Sequence, residues 1–84
     1  MAVRLTLLVR AYCHLCDEMR SALAAQAPGI PVDEVDVDAD PEGEAQWGDK
    51  VPVLLAGGRE LCHYHLDSRA LREFLVQNTV ANSR

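Results

Sequence analysis

The stretch Tyr12-Cys13-His14-Leu15-Cys16 sets two thiols three positions apart. Three chemistries use that spacing: a disulfide staple, half of a metal site, or a redox pair that cycles between dithiol and disulfide. The staple is disfavoured on two grounds. The chain carries 3 cysteines, so a fully paired framework is impossible. The opening MAVRLTLLVR breaks its apolar run with charge and leads to no small-residue cleavage site, so it does not read as a signal peptide. The expected location is the cytoplasm, where structural disulfides are rare. A metal site could draw on Cys13, Cys16, Cys62 and either His63 or His65 as a Cys3His zinc set. Against it, there is one Cys-x-x-Cys motif only, and on a strand Cys62 points away from His63 and His65.

The redox reading draws on position. Cys13 and Cys16 stand where an apolar run gives way to a helical pattern. A helix N-terminus presents unpaired N–H groups and a partial positive charge, and both favour a thiolate. Cys-x-x-Cys thiols so placed have pKa values of roughly 3.5 to 7.5, against ~8.5 for an unperturbed thiol. Arg10 can add positive charge, whereas Asp17 and Glu18 oppose the thiolate. The spacing sets the second sulfur about one turn on, within reach of a disulfide. Cys13, the outer sulfur, would attack a substrate disulfide, and Cys16, deeper in the helix, would then attack Cys13. His14, in the first turn, either faces solvent or meets the thiolate.

The elements that must position this pair are legible along the chain. Residues 2–10 read as a strand, with Val3, Leu5, Leu7 and Val9 on one face and Leu8 on the other. Residues 14–27 carry the 3.6-residue period through Leu15, Met19, Ala22 and Leu23, and Pro28-Gly29 stops the helix. A second strand is expected over 30–38, with Val35 and Val37 inward. Residues 40–49 read as a short helix or irregular turn, with Asp40 as its cap and Pro41 at its first position. Strands over 51–56 and 59–65 flank Gly57-Gly58, a hairpin signal. A last helix over 67–78, capped by Asp67, turns Ala70, Leu71, Phe74 and Leu75 to the core, and 79–84 should fray. The order is β-α-β-(α)-β-β-α in a single domain spanning 1–84. Its first half is a βαβ unit, hence two parallel strands.

The cysteine motif after a strand, the Val51-Pro52 pair opening the third strand and Gly57-Gly58 beyond it resemble the glutaredoxins, within the wider thioredoxin fold. The resemblance spans residues 3–78 and is nearest to the small bacterial glutaredoxin-like branch. It implies an α/β fold: a four-stranded mixed sheet flanked by helices. It implies Cys13 as nucleophile, Cys16 as resolving cysteine, and a cis Val51-Pro52 bond whose backbone pairs with a bound peptide or glutathione. It implies Arg10 as a contact for the glutathione carboxylate, and a substrate rim drawn from Tyr12, His14, Val51, Pro52, Tyr64 and Asp67.

The sequence departs from that pattern at three places, one of them His14-Leu15 in place of the usual Pro-Tyr. Lys50 stands where glutaredoxins carry Thr or Ser, and Cys62-His63-Tyr64-His65-Leu66 replaces their second glycine pair and aspartate-bearing helix start. The tract 62–66 sets side chains where the glutathione backbone would lie. The expectation is therefore thiol–disulfide chemistry with no tightly bound cofactor, with glutathione a disfavoured electron donor. The substrate class is a disulfide-bearing protein or a small thiol. Two further classes stay open: a thioredoxin-fold binding module without turnover, and an iron–sulfur site shared between subunits as in some glutaredoxin relatives.

The remaining composition excludes more than it assigns. Net charge is −5, and 8 of the 13 acidic residues lie between Asp33 and Asp49, so a nucleic-acid surface is not expected. That acidic run reads as a solvated face, since DVDADPEGE lacks the EF-hand spacing for calcium. No apolar run nears the ~18 residues that a membrane span needs. With no large apolar patch in view, a monomer is expected. Cys62 reads as a small buried hydrophobe, and Trp47 as a core or rim residue. Tyr64 and His65 either border the site or pack at the sheet edge.

Overall fold

Two segments are apolar enough to be buried on both faces, LTLLV and VLLA, and they take the middle of the sheet. In the computed structural model, which describes residues 3–80, the strands are β1 (Leu5–Val9), β2 (Val32–Asp36), β3 (Val53–Ala56) and β4 (Arg59–His63). They form one sheet in the order β2-β1-β3-β4. β1 runs parallel to β2 and antiparallel to β3, and β3 runs antiparallel to β4. The expected mixed four-stranded sheet and element order are both realised.

Alternation along the central strands divides the core in two. Leu5, Leu7, Leu54 and Ala56 pack with Met19 and Leu23 of α1 (His14–Gln26) and with Leu71 of α3 (Ser68–Leu75). On the opposite face Leu8, Val53 and Leu55 meet Val37, with Trp47 of α2 (Pro41–Trp47) packed against them. The spacing of Cys16, Met19 and Leu23 puts all three on the buried stripe of α1, which is why Cys16 is 1% exposed. Edge strand β2 carries Asp33, Glu34 and Asp36 outward, a charge pattern that discourages edge-to-edge pairing. Gly57 and Gly58 turn the β3–β4 hairpin with φ of 61° and 82°, the two positive values that a type I′ turn needs.

Several boundaries differ from the sequence reading. β1 is shorter than 2–10; Met1 and Ala2 lie outside the described residues. Val37 is fully buried, facing in as expected, but it opens a 3-10 turn (Val37–Ala39), so β2 spans Val32–Asp36 and not 30–38. Asp40 occupies the position before α2 yet makes no side-chain cap bond. Its carboxylate leans over Gly43 instead, where an added Cβ would come within 2.9 Å of it. A second 3-10 turn (Gly48–Lys50) follows α2, so Val51-Pro52 precedes β3 rather than opening it. β4 ends at His63, two residues early. α3 passes into a π turn (Val76–Val80), supported by Asn78 donating to the Phe74 carbonyl at 2.7 Å. The turn includes 79–80 of the expected frayed tail, and 81–84 lie outside the described residues. Among the described residues no helix is long and apolar enough to cross a membrane.

Candidate functional site

The site is built at one end of the sheet, where β1 and β4 finish and β3 begins. Leu8 pairs with Val53. Continuing that antiparallel register sets Val9 opposite Pro52 and Arg10 opposite Val51. On the other side Val53 pairs with His63, and the next residue, Tyr64, donates its N–H to the Pro52 carbonyl at 2.9 Å. The cysteine loop, the Val51-Pro52 segment and Tyr64 therefore share one pole. The Val51-Pro52 bond is cis.

Cys13 is the N-cap of α1. Its extended backbone (φ −105°, ψ 105°) turns the chain into the helix, and its sulfur accepts the Cys16 N–H at 3.1 Å. One of the unpaired first-turn donors thus points at the outer sulfur. Cys13 and Cys16 are joined as a disulfide, with Cα atoms 5.2 Å apart. Cys13 stays partly exposed while Cys16 is buried. This is the asymmetry that an attacking and a resolving thiol require.

Two tyrosines at this pole hold left-handed backbone, Tyr12 (φ 59°) and Tyr64 (φ 64°). They are the described non-glycine residues with positive φ, a conformation that costs bulky side chains roughly 1–3 kcal/mol and clusters at functional sites. Tyr12, immediately before Cys13, is fully exposed. Tyr64 centres a γ-turn in which the His65 N–H donates to the His63 carbonyl at 2.7 Å. Its hydroxyl donates to the Asp49 carbonyl at 2.8 Å, and its ring meets His63 edge-on with centroids 4.7 Å apart. Sequence reasoning missed both conformations. Glycine or asparagine marks such positions in a sequence, and tyrosine gives no such signal.

The other singled-out residues are engaged as follows. Arg10 donates to Asp38 at 3.1 Å, to the Gly48 carbonyl at 3.3 Å, and to Glu44. Its charge is thus matched by two carboxylates, and it ties the end of β1 to the acidic segment. The hydrogen bonds to those carboxylates hold the guanidinium above its ordinary range. His14 faces solvent and pairs with Glu18 at 2.8 Å. Val51 is half-buried against both core clusters, and Pro52 is buried. Asp67 caps α3 by accepting the Arg69 and Ala70 N–H groups at 3.1 and 3.0 Å. Trp47 packs at the core rim with the Lys50 ammonium 5.8 Å from its ring centroid. The acidic face carries much of its own counter-charge: Arg4 holds Asp33, and Arg20 holds Glu34, each keeping its carboxyl below the usual range through hydrogen bonds.

Cys62 is buried, and desolvation pushes its thiol up from the ordinary value. Among the described residues no three His, Cys, Asp or Glu side chains are grouped to hold a metal ion. The zinc set is divided: β4 stops at His63, His63 pairs with Glu60 at 2.5 Å, and the γ-turn carries His65 off the strand.

Residues 4–76 match the family described as Glutaredoxin-like domain (DUF836). The chain belongs to this glutaredoxin-like family. A Mycobacterium tuberculosis protein, described as uncharacterised, is 31% identical over 80 residues, covering 87% of this chain and 82% of that protein. A Nitrosomonas europaea protein solved by NMR in solution superposes with a TM-score of 0.80 at 31% identity, covering 88% of this chain and 92% of the other. An X. campestris protein solved by X-ray crystallography gives 0.69 at 39% identity, with 87% and 96% covered. Buckwheat glutaredoxin, in a complex with glutathione, gives 0.55 at 17% identity with 95% and 74% covered, a likeness of fold alone. The glutaredoxin-like domain therefore sits in the thioredoxin fold with its Cys-x-x-Cys pair bonded at the start of α1.

Proposed function

We propose that this glutaredoxin-like domain is a thiol–disulfide oxidoreductase. The observation that carries the reading is Cys13 at the head of α1, partly exposed and accepting the Cys16 N–H, with Cys16 buried one turn behind it. A donor aimed at the outer sulfur stabilises the thiolate more than the thiol, because a hydrogen bond to a charged acceptor is the stronger one. In the reduced protein the Cys13 thiolate attacks one sulfur of a substrate disulfide. A mixed disulfide forms, and the other substrate sulfur leaves as a thiolate that takes up a proton. Cys16 loses its proton and attacks Cys13, which releases the second substrate thiol and closes the Cys13–Cys16 disulfide. Two electrons pass from the protein to the substrate, and a thiol reductant returns them. Val51-Pro52 lies at the same pole and suits an extended substrate laid beside it as an added strand. Disulfide-bearing polypeptides and the disulfides of small thiols, in the cytoplasm, are the substrates this chemistry fits.

The test is trapping. Cys16→Ser should hold a substrate polypeptide or low-mass thiol as a mixed disulfide on Cys13, visible as an adduct mass that dithiothreitol removes. Cys13→Ser should hold none. Adducts on neither variant would defeat the proposal. A cellular role left intact by Cys13→Ser would favour a binding module instead.

A further inference from the structure

Tyr64 does more at this pole than a rim side chain needs to do. A tyrosine with φ near +64° at the centre of a γ-turn is strained, and a glycine would adopt that backbone freely. Burial does not account for it, because Tyr64 is 42% exposed. What the tyrosine adds over glycine is its ring and hydroxyl. The hydroxyl donates to the Asp49 carbonyl at 2.8 Å, while the backbone N–H of the same residue donates to the Pro52 carbonyl at 2.9 Å. One residue therefore pins both ends of the segment 49–52. Between the two pins stand Lys50, exposed, and Val51, half-buried and next to the cis bond. The ring is itself steadied, edge-on against His63, whose imidazole is tied to Glu60.

We propose that Tyr64 is the positioning residue for segment 49–52, a strap that holds Lys50 and Val51 in the shape that receives an extended polypeptide disulfide. The inference rests on the thiol–disulfide reading for its substrate, though the strap itself is a statement about the backbone. Strain at Tyr64 is then the cost of a preorganised docking edge. A small disulfide that reaches Cys13 without lying along the segment gains nothing from the strap.

Two variants test this. Tyr64→Phe keeps the ring and removes only the bond to Asp49. Tyr64→Gly relieves the left-handed backbone and removes ring and hydroxyl together, so its fold should melt no lower than that of Tyr64→Phe. Reduction of insulin driven by dithiothreitol, and single-turnover reduction of dithiobis-nitrobenzoate by pre-reduced protein freed of dithiothreitol, read the two substrate sizes. Amide hydrogen exchange at Lys50 and Val51 reads the segment without turnover. For Tyr64→Phe, loss of one net hydrogen bond should raise KM for insulin about fivefold and speed exchange at Lys50 and Val51 about fivefold. The insulin KM should change more than the rate with the small disulfide, and the Cys13–Cys16 potential should be unchanged. Tyr64→Gly should exceed those effects. Unchanged exchange in both variants would overturn the strap. An equal fall with insulin and the small disulfide would overturn it too, since Tyr64 would then act on the cysteines. If the native protein reduces neither disulfide, the oxidoreductase reading fails, and the exchange measurement still decides the strap.

Discussion

Removing the Cys13 side chain from the reduced protein separates its two duties, cap and nucleophile. The sulfur accepts the Cys16 N–H at 3.1 Å from the N-cap position. Alanine there leaves that donor without its partner, and losing an N-cap side chain costs about 1 kcal/mol. Serine keeps an acceptor on the same Cβ and is among the better N-caps, so Cys13→Ser should be at least as stable as the reduced wild type. Cys13→Ala should fall about 1 kcal/mol below Cys13→Ser. For a domain of 84 residues that gap corresponds to roughly 4–8 °C in Tm. Oxidation adds a second effect in the wild type. Closing a four-residue loop removes denatured-state entropy worth about 2 kcal/mol, so the oxidised protein should melt highest of all. The assay is thermal and urea unfolding of both variants and the wild type, with and without dithiothreitol. Equal stability of Cys13→Ala and Cys13→Ser would refute the reasoning. The Cys16 N–H would then not be aimed at the Cys13 sulfur in the reduced protein, and thiolate stabilisation would lose its geometric basis.

Three further outcomes follow from packing and charge. Leu54 is fully buried in the central strand, so Leu54→Ala should cost about 2–5 kcal/mol by chemical denaturation; a loss under 1 kcal/mol would contradict the assigned core. Arg20 donates to Glu34 at 2.6 and 3.0 Å and lowers its pKa, so the pair stabilises the fold above the ordinary glutamate value of about 4.3 and loses that effect as pH falls through the depressed value. Side-chain NMR titration should show Glu34 below 4.3, returning to the ordinary range in Arg20→Met; an unchanged midpoint would deny the pair. Burial raises the Cys62 thiol, so its contribution is present below the ordinary thiol value of about 8.5 and lost as pH rises through the raised one. Iodoacetamide at pH 8 should label Cys62 far more slowly than a denatured control, and equal rates would contradict its burial.

Much of the fold was legible because its signals are local. Near-continuous apolar runs in LTLLV and VLLA suit strands buried on both faces, the period through Leu15, Met19, Ala22 and Leu23 marks α1, and Gly57-Gly58 marks the hairpin. The Cys13–Cys16 pair was readable for the same reason: spacing and the strand-to-helix handover lie within a few residues. What escaped the sequence was decided by contacts distant along the chain. Arg10 meets Asp38 and Glu44, 28 and 34 residues away, so its commitment to the acidic segment has no local sign. The left-handed turn at Tyr64 depends on Pro52 and Asp49, on the far side of the hairpin. Asp40 shows the converse failure. Its residue type and position both fit a cap, yet the carboxylate settled over Gly43 instead.

The Cys13–Cys16 reduction potential, read by trapping free thiols across a series of redox buffers, decides whether the pair is a working redox couple. A single two-electron transition is expected between about −180 and −280 mV, the span of working glutaredoxins and thioredoxins. A pair that remains dithiol, or remains disulfide, across the whole series would contradict it.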